Sequence, residues 1–164
     1  MKEFGIWAAF AAGLYVLQTS LLPLIAYHGV SPDLMLLLAV SFAFLRGARQ
    51  GGLAGFLAGL MQDLSTGTFF GLHSFSLTLI GLFCGRFANR VFKEQFSLPV
   101  LASLGATVFN YFILALLMVL LGYRFNLAGQ LHYTLLPMLV YQLACAYPVH
   151  RAAYMLDRRL QNKK

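Results

Sequence analysis

The side chains of this 164-residue chain with the most chemical potential are Asp33, Asp63, His28, His73, His132, His150, Cys84 and Cys145. Two carboxylates that share a proton can run the acid–base chemistry of an aspartic protease. Nothing in the local sequence around Asp33 or Asp63 supports that chemistry. The histidines are scattered over three loops and a helix end, with no His-Glu-x-x-His pair for zinc. There is no glycine-rich loop ending in Lys-Ser or Lys-Thr to cradle a phosphate, and the serines lack a matching base. Cys84 and Cys145 sit inside apolar runs, form no Cys-x-x-Cys, and read as small packing residues. The expectation is therefore no catalytic residue, no metal and no cofactor.

The composition explains why chemistry is sparse. Residues of the AVILMFWYC set make up 60% of the chain and charged residues only 10%. Soluble domains carry about 25% charged residues, so too few charges remain here to cover the outside of a soluble fold. Mean hydropathy is +0.74. The class expected is an all-α polytopic membrane protein. Lys and Arg number 12 against 5 Asp and Glu, a net charge of +7. No basic stretch is long enough to track a phosphate backbone, so nucleic acid is not an expected partner. Basic residues of a membrane protein instead gather in cytoplasmic loops and hold the topology.

A spanning helix needs about 20 apolar residues, and the chain divides into six candidates within one membrane domain, 1–164. They cover about 4–26, 32–46, 50–65, 70–92, 98–122 and 131–156. The first resembles a signal peptide at its start, but no small-x-small cleavage site follows and an uncleaved helix is expected. The second and third are short, rising about 22–24 Å against a hydrocarbon core of about 30 Å. A re-entrant hairpin would bury Arg46 and Arg49 in the membrane at about 2.5–3.5 kcal/mol each, so two true spans are favoured. With the N-terminus inside, the cytoplasmic side holds Lys2, Arg46, Arg49, Arg86, Arg90, Lys93, Arg151, Arg158, Arg159, Lys163 and Lys164. The external side holds Arg124 alone. Both termini are therefore expected in the cytoplasm.

Within that frame, Asp33 begins the second span and Asp63 ends the third, both on the external side. Asp33 suits a helix N-cap. Asp63 lies at a helix C-terminus, where the dipole disfavours a carboxylate. It is expected to anchor the Ser65-Thr66-Gly67 turn or to pair with a cation, the candidates being His28, His73, Arg124 and His132. Asn110 and Gln142 fall near the middles of the last two spans and are expected to hydrogen-bond across them. Gly51, Gly55 and Gly59 recur every fourth residue, and Gly81 and Gly85 repeat the spacing. Such bare stripes let helix backbones approach. They serve either packing inside the bundle or docking of another protein's span. The tail from His150 to Lys164 mixes apolar residues with Arg151, Arg158, Arg159, Lys163 and Lys164, which suits anionic headgroups or a cytosolic partner.

The stretch Ser31-Pro32-Asp33-Leu34-Met35-Leu36-Leu37-Leu38, then Leu45-Arg46-Gly47, Gly51 through Gly59, Asp63-Leu64-Ser65-Thr66-Gly67 and Gly71-Leu72-His73 resembles the rod shape-determining MreD family. Length, span layout and basic ends agree over essentially the whole chain. Gln62 departs from the pattern, where a plain apolar residue is expected. The resemblance implies a non-enzymatic membrane scaffold or regulator of the lateral cell-wall elongation machinery, multi-pass in the bacterial inner membrane. It implies MreC as partner and, through it, RodA and a class B penicillin-binding transpeptidase, with MreB on the cytoplasmic side. It also implies a bundle similar to the S-components of energy-coupling-factor transporters, so the alternative is a vitamin-binding S-component with Asp63, Arg124, Asn110 and Gln142 around an outward pocket. On the scaffold reading the partner contact is expected at Gly51, Gly55, Gly59, Asp63, Gly67, Gly71 and His73. Arg46, Arg49, Arg158 and Arg159 are then expected to face lipid headgroups and hold the topology.

Overall fold

The computed structural model describes residues 2–26, 30–67, 70–88, 97–122 and 134–161. His28, Arg90, Lys93, Arg124, His132, Lys163 and Lys164 lie outside the described residues. The described chain is all-helical: α1 (Lys2–Ser20), α2 (Leu22–Ile25), α3 (Leu34–Arg46), α4 (Ala48–Thr66), α5 (Leu72–Ala88), α6 (Ser97–Leu120) and α7 (Leu136–Gln161). Residues 5–24 and 99–120 are long and apolar enough to cross a membrane. α3 and α5 are apolar but shorter.

α3 is the axis of the bundle. Its sequence is apolar all round, which is the pattern of a fully buried helix, and every side chain from Leu34 to Ser41 is buried. It packs against α1, α4, α5, α6 and α7. Met35, Leu36 and Val40 meet Leu77 and Ile80 of α5 and Ala106 of α6. Leu34 and Leu37 meet Ala146 and Val149 of α7, and Leu38 meets Trp7, Ala153 and Leu160. One residue, Gly47, joins α3 to α4. Its φ of 88° lies in the region that favours glycine.

The helix ends depart from the expected spans in two places. The first span breaks at Leu21 into α1 and the single turn α2. Pro23 has no N–H to give back to the preceding turn, so a continuous ladder is lost there. At the other end, α7 runs on to Gln161 instead of ending near 156. Its last turns are held rather than free: Ala153, Asp157 and Leu160 are buried. The alternation read as a basic tail is one helix with a buried face toward α1 and α3 and an exposed face carrying Arg151, Arg158 and Arg159.

Candidate functional site

α3 has thirteen residues and is about 20 Å long, shorter than the hydrocarbon core of a bilayer. Polar backbone groups at the ends of such a helix need partners from the protein itself. At its N-terminus those partners come from three other helices. Gln18 Oε1 of α1 accepts from the N–H groups of Leu34 at 2.9 Å and Met35 at 3.2 Å. Asp33 caps its own helix, Oδ1 accepting from Leu36 N–H at 3.0 Å. Gln142 of α7 grips the Asp33 backbone from both sides, Oε1 accepting from its N–H at 3.0 Å and Nε2 donating to its carbonyl at 3.1 Å. Gln62 Nε2 of α4 donates to Asp33 Oδ1 at 2.7 Å. The capping role read for Asp33 is the one it performs. Gln18→Leu strips the acceptor from two buried N–H groups. It is expected to lower stability by about 1–3 kcal/mol, measured as the unfolding midpoint in detergent; an unchanged midpoint would show that the amide is dispensable.

The neighbouring residue on α4 serves a second helix end. Asp63 is 1% exposed. Its carboxylate accepts from the N–H groups of Gly71, His73 and Ser74, each at 3.0 Å. Ser74 Oγ donates to it at 2.7 Å, and His73 Nδ1 lies 3.0 Å from Oδ1. The side chain thus caps α5. Of the two roles expected for Asp63, the contact with His73 is present. The Ser65–Gly67 turn is closed instead by the backbone: Gly67 N–H donates to the Asp63 carbonyl at 3.3 Å, with Gly67 at φ 60°. Asp63 escapes the unfavourable end of its own helix dipole because it lies beside the positive end of the next one. Gln62, one residue before Asp63, braces α3 through its bond to Asp33.

The two mid-span amides do not pair with each other. Asn110 accepts from Ser76 Oγ and ties α6 to α5, while Gln142 is spent on Asp33. Each found a nearer partner on a packed neighbour, and depth along the sequence alone did not show which.

The glycine stripe is filled by the chain itself. A Cβ on Gly55 would lie 2.2 Å from the Leu77 carbonyl oxygen, and one on Gly59 would lie 2.4 Å from Ser74 Cα. Gly51 faces Ala43 and the Gly81 carbonyl, and Gly85 faces Ala48 Cα at 2.3 Å. α4 and α5 therefore touch backbone to backbone along their length. Of the two uses open to the stripe, packing inside the bundle is the one present, and a partner's span would have to displace α5 to reach it. Gly67 and Gly71 are turn glycines, both with positive φ and open space at the Cβ position.

The basic residues divide likewise. Arg46 Nε lies 2.7 Å from Asp157 Oδ1, and the guanidinium stands 5.9 Å from the Trp7 ring centroid and 5.7 Å from that of Phe42. Gln161 Nε2 donates to Asp157 Oδ2 at 2.7 Å. Arg46 is thus tied to α7 and does not stand free toward lipid, whereas Arg49, Arg158 and Arg159 are exposed. Gln18 and Asp157 were missed as site residues. The signal for each was present: an amide inside an apolar helix, and a lone acid in a basic segment.

Chemically, this arrangement holds helices. The Asp63 carboxylate and Asp33 Oδ1 are committed to N–H donors. Among the described residues no group of three or more His, Cys, Asp or Glu stands where it could hold a metal ion. A family model described as rod shape-determining protein MreD matches residues 2–156. No curated protein and no solved structure matches the chain. A match of that extent, over a chain that is all-helical among the described residues, places it in the MreD family of membrane-associated, rod shape-determining proteins.

Proposed function

We propose that the protein is a six-span scaffold or regulator of the lateral cell-wall elongation complex in the bacterial inner membrane, with both termini in the cytoplasm. In this reading it binds MreC and through it connects to RodA, a class B penicillin-binding transpeptidase and MreB. The observation that carries the reading is the family match over residues 2–156, since the family's role is rod shape determination. The interior supports it. The polar groups at the α3 and α5 ends bind helix to helix, which suits a rigid body that presents surfaces. Among the described residues, Arg46, Arg49, Arg86, Arg158 and Arg159 lie where α3 ends, α4 begins and α5 and α7 end, which supports the topology.

The vitamin-binding alternative calls for polar groups around an open pocket. Asp63, Asn110 and Gln142 are each hydrogen-bonded within the bundle, and Arg124 lies outside the described residues. A bundle of S-component type fits the scaffold reading equally well, with the centre filled by α3. Because α5 occupies the glycine stripe, partner contact falls to other surfaces of the bundle, among them the turn at His73.

The test is affinity purification of the tagged protein from native membranes in mild detergent. Recovery of an MreC-like single-span protein together with RodA-type synthases is expected. Recovery of transporter ATPases with a coupling membrane subunit would replace this reading with the S-component one.

A further inference from the structure

The carboxyl group at the head of α3 has unusual company. Asp33 is 8% exposed. The side chains that reach it and the two residues after it are Gln18 from α1, Gln62 from α4 and Gln142 from α7. All three are neutral amides. α5 brings His73 within electrostatic range, but its Nδ1 lies against Asp63 at 3.0 Å. α6 carries no charged residue. Among the described residues no Lys or Arg forms an ion pair with Asp33.

One atom of this network is left over. Leu36 N–H and Gln62 Nε2 both donate to the same oxygen, Asp33 Oδ1, at 3.0 Å and 2.7 Å. Gln62 is 6% exposed, and its Oε1 is buried and meets no donor among the described residues. An empty buried acceptor is costly. Oε1 and Nε2 hang from one carbon, so the bond to Oδ1 holds Oε1 beside the Asp33 carboxyl group. An ionised Asp33 has nothing to offer it, because a carboxylate only accepts. A protonated Asp33 carries an O–H. With that proton on Oδ2, the two groups close a ring of two bonds, Nε2–H to Oδ1 and Oδ2–H to Oε1. Turning the amide over does not remove the demand. Oε1 would then stand 2.7 Å from Oδ1, and two oxygens at that distance need a proton between them.

The capping role is compatible with the neutral acid. An N-cap needs an acceptor oxygen, and Asn caps as well as Asp. The helix dipole favours the anion, but a buried charge with no cation beside it is opposed by desolvation and neutralises instead. Asp63 is the contrast. Its oxygens meet three N–H groups and a hydroxyl, which suits an acceptor-only carboxylate. Two carboxyl groups in environments that push them apart take different protonation states.

We propose that Asp33 and Gln62 form a buried proton site, in which Asp33 stays the neutral acid at neutral pH and its Oδ2–H donates to Gln62 Oε1. The proton then ties the head of α3 to the last turns of α4. Its release to water would leave two acceptors, Oδ2 and Oε1, facing each other, and Gln62 would have to turn away. The site depends on the fold alone and on no protein partner.

The test is infrared spectroscopy of the purified full-length protein in detergent at neutral pH, with aspartate labelled by carbon-13 at the side-chain carboxyl. The chain has only five acidic side chains, so a protonated one stands out by its C=O band. Wild type is expected to show one such band, moved by the label and absent from Asp33→Asn. Gln62→Leu is expected to move it to higher frequency, because the C=O loses a donor. Asn keeps the acceptor oxygen and places an N–H donor where the acid O–H stood. Asp33→Asn is therefore expected to unfold at a higher midpoint than wild type at neutral pH, since unfolded wild type gains by releasing a proton that Asn does not have. The difference should close as the pH falls to about 4, where the unfolded Asp33 is itself becoming protonated. Absence of the band from wild type would overturn the site, as would a band that survives Asp33→Asn or stays unmoved in Gln62→Leu. The Gln62→Leu spectrum decides even if Asp33→Asn does not fold. A midpoint for Asp33→Asn as low as that of Asp33→Ala would also overturn it. So would a missing band together with a wild-type midpoint higher in sodium chloride than in choline chloride, which would put a metal cation where the proton is placed.

Discussion

Gly55→Ala is expected to be strongly destabilising for a change of a single methyl group. The added carbon would lie 2.2 Å from the Leu77 carbonyl oxygen and 2.7 Å from its carbonyl carbon. Those atoms belong to backbone in the middle of α5, so no rotamer change relieves the overlap. The two helices must separate, and they share the seam at Gly51, Gly59, Gly81 and Gly85. Overpacking of this kind costs about 1–3 kcal/mol and occasionally more, and a rigid backbone partner puts Gly55 at the upper end. The loss adds to missing dispersion along the parted seam, because lipid tails supply no hydrophobic drive to close it again. Gly13→Ala is the matched control: a Cβ there meets nothing within 4 Å, and a change within about 0.5 kcal/mol is expected. The comparison is read as unfolding midpoints of the two variants in one detergent. Equal midpoints would mean that α4 and α5 do not meet through these glycines. Because the clash acts inside the chain, any loss of partner binding in a Gly55 variant follows from the damaged bundle.

Asp63→Ala is expected to have the second large effect. It removes the acceptor of three backbone N–H groups and of the Ser74 hydroxyl in a place only 1% exposed. Loss of an N-cap alone costs about 0.5–2 kcal/mol, and buried donors left without partners cost about 1–3 kcal/mol more. A loss of about 2–4 kcal/mol is the expected sum after partial relaxation. Asp63→Asn is expected to fall between alanine and wild type, since the amide keeps one acceptor oxygen and turns an NH₂ group toward the remaining donors. Hydrogen exchange at the start of α5 is the decisive readout. Protection at His73 and Ser74 should drop in both variants while protection in the middle of α6 stays. A uniform drop across all helices would point to global loss and away from a local cap.

Both predictions concern residues that the bare sequence marked, and both assign them a use that it left open. The fourfold glycine spacing showed that backbones approach. It did not say whose backbone, because the same stripe serves an internal helix or a foreign one. The nearest partner turned out to be the next helix in the chain, joined by a short turn that brings α5 against α4 at little cost in chain entropy. Asp63 was legible as a carboxylate at the wrong end of its own helix. Its solution, the adjoining N-terminus of α5, needs the turn at Gly67 and Gly71 to fold back. Asn110 and Gln142 show the limit of depth matching: each amide took the partner that packing placed nearest.

Sequence by itself determined the class of this protein. Its 60% apolar composition and 10% charge point to a bundle of apolar helices, and the family match runs over residues 2–156. Those properties are local and additive, summed residue by residue along the chain. Only the tertiary structure decided that α3 is a short central helix whose N-terminus is finished by Gln18, Asp33, Gln62 and Gln142 from three other helices and its own cap. It alone decided that Arg46 belongs to Asp157, 111 residues away, and that the glycines are already filled. Hydrogen bonds and close packing depend on distances between segments far apart in the chain, and in a bundle of similar apolar helices nothing in the local pattern distinguishes one neighbour from another.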